Sequence, residues 1–242
     1  TLWYEPVESL LRQMDSNDVE KAVLVQMGGQ YDNSYQVECV RGHPDRLASV
    51  VLVDVAEASA ADALSELVDE GARGVRIPAG ADARDVWTRA SELRLPVTSL
   101  GSAGAFSSDG FATNVELMGD TPVIIEHLGG LKADSPQAAR DGVFAQARHP
   151  NAHMKIHGLG EFCQRNVPVT SPFPFDPAGL PLLQEALEAF GADRLLWGSD
   201  YPPVSGREGY ANALQLTMGQ FDNADDRRAI FGGTAARVYG WV

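Results

Sequence analysis

Two ionisable residues stand where short apolar runs end. In "PVIIEHLGG" the run reaches His127 before a Gly-Gly turn, and in "RLLWGSDYPP" it reaches Asp200 before a double proline. A charge at the end of a buried segment is costly unless it is paired or bound to a metal. A histidine and an aspartate so placed can hold a divalent metal, with the aspartate also taking a proton from attacking water. They can equally work as a general acid–base pair without metal.

Other polar groups close similar runs: Gln26, Asp54, Arg76, Ser99, and the alternating pair Lys155 and His157 in "HMKIHGLG". Arg76 suits a substrate carboxylate, because a guanidinium grips that group through two parallel hydrogen bonds. Lys155 and His157 are spaced to face the same side of one strand. His157 reads as a substrate contact or an extra ligand, and Tyr201, next to Asp200, joins the substrate-binding candidates. Glu161 is a weaker one. His43, His149 and His153 fall in polar stretches ahead of strands and read as peripheral.

The elements that must position these groups are legible as a pattern. Apolar runs fall at 21–26, 47–55, 74–77, 95–101, 122–129, 153–160 and 194–200. None alternates cleanly, as expected of strands buried on both faces of a parallel sheet. Between them, 5–18, 58–72, 83–94 and 177–192 carry apolar residues at helical spacing. The stretch 223–241 reads as two helical pieces split at Gly232–Gly233. Strand alternating with helix is the signature of βαβ units. Functional groups then belong at the C-terminal ends of the strands. No Gly-x-Gly-x-x-Gly follows the first strand, so a dinucleotide fold has little support. The stretches 101–113 and 162–181 read as loops, and their Phe106, Phe111, Phe173 and Phe175 as aromatics that line a pocket for a flat substrate.

Composition bounds the rest. The 242 residues suit a single domain over 1–242. The net charge of -14 repels phosphate backbones and anionic lipid, so nucleic acid and membrane surfaces are poor partners. Cys39 and Cys163 have no metal-type spacing and read as reduced thiols of a cytoplasmic protein. No apolar run approaches the about 20 residues that cross a membrane. A homo-oligomer is compatible with the sequence, though no feature marks an interface.

Taken in order, "PVIIEHLGG", "ARHPNAHMKIHGLGEF", "RLLWGSDYP" and "IFGGTAARVYGW" resemble the amidohydrolase superfamily. They are most similar to the amidohydrolase-related branch of 2-pyrone-4,6-dicarboxylate lactonase, sugar lactonases and related decarboxylases. The resemblance implies a (β/α)8 TIM barrel, with Asp200 as the catalytic aspartate of strand eight and His127 as the histidine of strand six. It places Arg76 at a strand-four position that holds anionic substrate. Zinc is the cofactor implied, with His127 and Asp200 among its ligands, although metal-free members exist. The family's first strand carries a His-x-His pair that this sequence lacks. Because the sequence opens on a helical pattern, that strand is expected ahead of Thr1. The other readings are a barrel left open at one seam, or catalysis that is metal-free or lost.

The expected activity is a hydrolase that opens a lactone or similar cyclic ester or amide of a small, anionic substrate. A non-oxidative decarboxylase and a non-catalytic ligand-binding barrel are the alternatives.

Overall fold

The structure, a computed structural model, describes residues 5–165 and 175–241. Seven parallel strands form one sheet in strict chain order: β1 (Ala22–Val25), β2 (Leu47–Val51), β3 (Gly74–Arg76), β4 (Val97–Ser99), β5 (Val123–Ile125), β6 (Ala152–Ile156) and β7 (Leu195–Trp197). Sequential order throughout is the winding of a barrel, because a doubly wound sheet reverses direction at a switch point. The sheet is a (β/α)8-type wall of seven strands, and among the described residues β1 and β7 form its two edges.

Helices surround the sheet: α1 (Val7–Ser16), α2 (Ser34–Gly42), α3 (Ala60–Asp69), α4 (Arg84–Glu92), α5 (Ala103–Phe106), α6 (Asp109–Leu117), α7 (Gln137–Phe144), α8 (Pro181–Phe190), α9 (Tyr210–Met218), α10 (Ala224–Arg228) and α11 (Thr234–Val238), the last packing Ala235 and Val238 against Val50, Ile124 and Leu196. The period-2 alternation of each strand sorts residues between two cores. Val51, Val75, Val97, Ile125, Met154, Ile156 and Leu195 face the helices, where they meet Leu64, Trp87, Val115 and Leu182. Their neighbours Val50, Ile124 and Leu196 turn the other way and form a separate inner cluster with Tyr239. The Tyr239 hydroxyl meets Thr98 Oγ1 of β4 at 3.2 Å. Arg73 Nη1 donates to the carbonyls of Tyr239 and Gly240 at 2.9 and 3.0 Å. The chain end after α11 therefore fills the inside of the wall near the strand starts.

The helical spacing at 5–18 becomes α1, whose Val7, Leu10, Leu11 and Met14 pack on Cys39 and Leu47. Three expectations are corrected. The stretch 101–113 holds the helix α5 and the start of α6, both capped by serine hydroxyls. Phe106 and Phe111 are fully buried against each other and Trp87, so they build the core and line no pocket. The C-terminal stretch does not split at Gly232–Gly233, since Ala229–Gly233 forms a π-helical turn joining α10 to α11. Phe175 is also buried in the core. Phe173 and the middle of the 162–181 stretch lie outside the described residues. No helix among the described residues is long and apolar enough to cross a membrane.

Candidate active site

The same alternation that buries Ile124 inward carries Glu126, two residues on, to the inner face one layer higher. Arg76 and Lys155 reach that layer from β3 and β6. Arg76 donates to Glu126 Oε2 from Nε at 2.8 Å and from Nη2 at 2.7 Å, and to the Gln26 carbonyl from Nη1 at 2.9 Å. Lys155 Nζ bonds the other oxygen, Oε1. Glu126 is 1 % exposed. Burial alone raises its pKa, but the Lys155 and Arg76 cations outweigh it and hold the carboxyl at about 2. Two cations and one anion leave this floor with one net positive charge.

Above the floor the chain after β5 turns sharply. His127, Leu128, Gly129 and Gly130 all take positive φ, from +50° to +76°. A Cβ on Gly129 would stand 2.4 Å from Val143 Cγ1, so the turn needs glycine there. His127 and Leu128 accept a backbone that side chains rarely adopt, and so does Asp200 at +52°. Such strain, of order 1–3 kcal/mol per residue, clusters at functional sites.

His127 Nδ1 lies 3.8 Å from Glu161 Oε1. The His127 and His157 rings stand 4.5 Å apart, centre to centre. Burial, then the Lys155 cation, push the His127 pKa down. Burial, with His127 and Lys155 behind it, takes fully buried His157 well below the ordinary value. Both imidazoles are therefore neutral near pH 7. Neither His157 nitrogen has a hydrogen-bond partner among the described residues.

Arg207, from the segment between β7 and α9, closes the cluster. Its Nη1 reaches Glu161 Oε2 at 2.6 Å and Asp200 Oδ2 at 2.8 Å. Its Nε lies 3.7 Å from Glu208 Oε2. Glu208 fills the space left by two glycines of "HGLGEF": a Cβ on Gly158 or Gly160 would stand 2.0 or 2.2 Å from its oxygens. The Gly160 amide donates to Glu208 Oε1 at 3.1 Å. Burial raises the Glu208 pKa.

The cluster fits a divalent cation by donor type and spacing. His127, Glu161 and Asp200 each offer one ligand atom, all within 4.8 Å of one another. Imidazole nitrogen and carboxylate oxygen are both ligand types that zinc takes, and three protein ligands is the number found at catalytic zinc sites.

This stretch of barrel, ending in an ionisable cluster at the strand tips, has relatives. The sequence profile of the amidohydrolase family matches residues 5–241. The chain belongs to the amidohydrolase family. An L-fucono-1,5-lactonase of Burkholderia ambifaria is 32 % identical over 99 residues, a match that covers 38 % of this chain and 32 % of that relative. The fold matches a Pseudomonas putida protein assigned as a 2-pyrone-4,6-dicarboxylic acid hydrolase, with TM-score 0.83, 21 % identity, and 99 % and 89 % of the two chains covered. An amidohydrolase of Burkholderia multivorans solved with bound zinc follows at TM-score 0.78, 22 % identity, and coverage of 98 % and 88 %. A 2,6-dihydroxybenzoate decarboxylase from Rhizobium shares the fold at TM-score 0.66, 16 % identity, and coverage of 97 % and 88 %.

Within this amidohydrolase fold, the residues predicted from sequence fall at the top, on the floor and at the margins of the site. Asp200 and His127 converge at the top, beside His157, while Arg76 and Lys155 share the floor. Gln26 and Tyr201 stand at the margins. The Gln26 side chain donates to the Asp32 carbonyl at 2.8 Å and accepts from the Met27 amide at 2.9 Å. The Tyr201 hydroxyl bonds Glu5 at the foot of α1, and burial, with Glu5, pushes its pKa up to about 12. Glu126, Arg207 and Glu208 were missed. Glu126 had a signal, a carboxylate inside the apolar "VIIEHL". Arg207 and Glu208 had none, because they lie in an irregular segment after the double proline.

Proposed function

We propose that this amidohydrolase is a hydrolase that opens a lactone or related cyclic ester of a small anionic substrate. The observation that carries the reading is the convergence of Asp200 and His127 above a floor with surplus positive charge. Asp200 accepts the proton of a water molecule as its oxygen attacks the ring carbonyl carbon. Neutral His127 donates a hydrogen bond to the carbonyl oxygen and steadies the charge that gathers there. The ring C–O bond then breaks, and the leaving oxygen takes up the proton held by Asp200. The substrate's anionic group is drawn to the Arg76–Lys155 pair, with His157 as a neutral wall. Gln26 gives its carbonyl to Arg76, and Tyr201 ties the wall to α1, so we assign both to shaping the site.

His127, Glu161 and Asp200 would hold a divalent ion, zinc among them, which when bound acidifies water or polarises a carbonyl. We propose one such domain over residues 1–242. The partial match to a lactonase supports the lactone class.

The test is a substrate panel. Sugar 1,5-lactones and carboxylated 2-pyrones are incubated with the purified protein and acid release is followed by a pH indicator. Carboxylated phenols are run in parallel for CO₂. Acid release without CO₂ is the expected result. CO₂ release would replace the lactonase reading with a decarboxylase. Ligand binding with neither product would leave a barrel that binds without turnover.

A further inference from the structure

Arg207 is placed oddly for a residue that only braces a loop. Its guanidinium has five N–H donors. One nitrogen, Nη1, meets both Glu161 Oε2 and Asp200 Oδ2, at 2.6 and 2.8 Å. Nη2 is buried and makes no hydrogen bond among the described residues. The side chain therefore forgoes the forked pairing that normally makes arginine–carboxylate contacts strong. It spends its charge on the two carboxylates that, with His127, make up the three-donor set.

Other buried groups at the same spot also lack partners among the described residues. There, His157 has two ring nitrogens without a hydrogen bond beside His127, and Glu208 Oε2 is buried without one. Glu208 sits in a pocket cleared by Gly158 and Gly160, with its carboxylate 3.7 Å behind Arg207 Nε. The guanidinium thus stands between a fixed acid at its back and two acids at its front.

We propose that Arg207 is an internal competitor for the cation site formed by His127, Glu161 and Asp200. A divalent ion and the guanidinium draw on the same two carboxylates, Glu161 and Asp200, and their like charges repel at such range. The site has two exclusive states. In one, Arg207 pairs with both carboxylates while Lys132 Nζ lies 3.3 Å from Glu161 Oε1; in the other, Arg207 has moved off them and an ion is bound. The surplus N–H groups of Arg207 lower the number of bonds its departure breaks. This inference rests on the proposed cation set and not on lactone opening.

Titration of purified protein with Mn²⁺, followed by calorimetry and by loss of the free-ion spin-resonance signal, tests it. Arg207→Met is expected to bind one Mn²⁺ per chain at least tenfold more tightly than the wild type. Adding Glu161→Gln should abolish that gain, which ties it to the same site. Arg207→Lys keeps a charge for the carboxylates and serves if the methionine variant does not fold. Its side chain is one bond shorter than the path to Nη1, which holds the ammonium farther from the two acids, so a several-fold gain is expected. Wild-type binding that Asp200→Asn removes but neither Arg207 variant strengthens would overturn the competition and leave the cation set standing. No binding in any form would overturn both. Neither result bears on the substrate panel, which tests lactone opening separately.

Discussion

Arg76 sets two nitrogens of its guanidinium on one oxygen of Glu126, Nε at 2.8 Å and Nη2 at 2.7 Å. Lys155 takes the other oxygen. Removing one partner of a buried pair costs about 3–5 kcal/mol, because an uncompensated charge stays behind. Arg76 and Lys155 keep some contact with water, at 12 % and 19 % side-chain exposure, which softens the loss. Glu126→Gln is expected to lower unfolding free energy by about 2–4 kcal/mol, read from urea denaturation at pH 7. A change below half a kcal/mol would show that the floor is not a stabilising unit.

The same carboxyl predicts an acid limb. Its folded pKa, about 2, lies below the ordinary value of 4.5. The unfolded chain thus binds the proton more readily, so the stabilisation is present above about pH 4.5 and is lost as pH falls toward 2. Wild-type stability should fall through that window, and Glu126→Gln should fall less steeply. Parallel slopes would mean that Glu126 has no lowered pKa.

Asp200→Asn removes the proposed base while keeping the side-chain shape. Turnover of whichever lactone the panel identifies should drop about 10²- to 10⁴-fold, the usual worth of a positioned acid or base. The thermal midpoint should move by only a few degrees. Retention of more than a tenth of the activity would rule Asp200 out as the base.

Gly158→Ala tests the space that admits Glu208. The new Cβ would stand 2.0 Å from Glu208 Oε1 and 2.7 Å from Ala213 Cβ on α9. Overpacking of this kind costs about 1–3 kcal/mol. The double change with Glu208→Ala should recover part of the loss, since only the Ala213 contact remains. Equal thermal midpoints for wild type and Gly158→Ala would contradict the packing described.

Tyr239→Phe isolates the plug inside the sheet. It leaves the ring in the inner cluster and deletes the hydroxyl that meets Thr98. The expected loss is about 1 kcal/mol, the net worth of a typical hydrogen bond. Calorimetric unfolding of the variant measures it, and an unchanged midpoint would place that hydroxyl outside the balance.

The sequence by itself determined the alternation of strands and helices, because each apolar run and each helical face is a local pattern. It also located His127, Lys155, His157 and Asp200, since a polar residue closing an apolar run marks a strand tip without knowledge of its neighbours. Arg76 was legible in the same way, but its partner was not. Glu126 lies 50 residues from Arg76 and 29 from Lys155. Only the parallel register of β3 to β6 brings them to one layer, and no local pattern encodes that register. Phe106 and Phe111 looked like loop aromatics until α5 and α6 turned them into the core. Arg207 carried no periodic signal, and its role depends on a turn that faces the end of β7 toward the segment after β6. Pairing across the barrel was decided by tertiary structure alone, because a buried charge answers to whatever lies within a few ångströms, however distant along the chain.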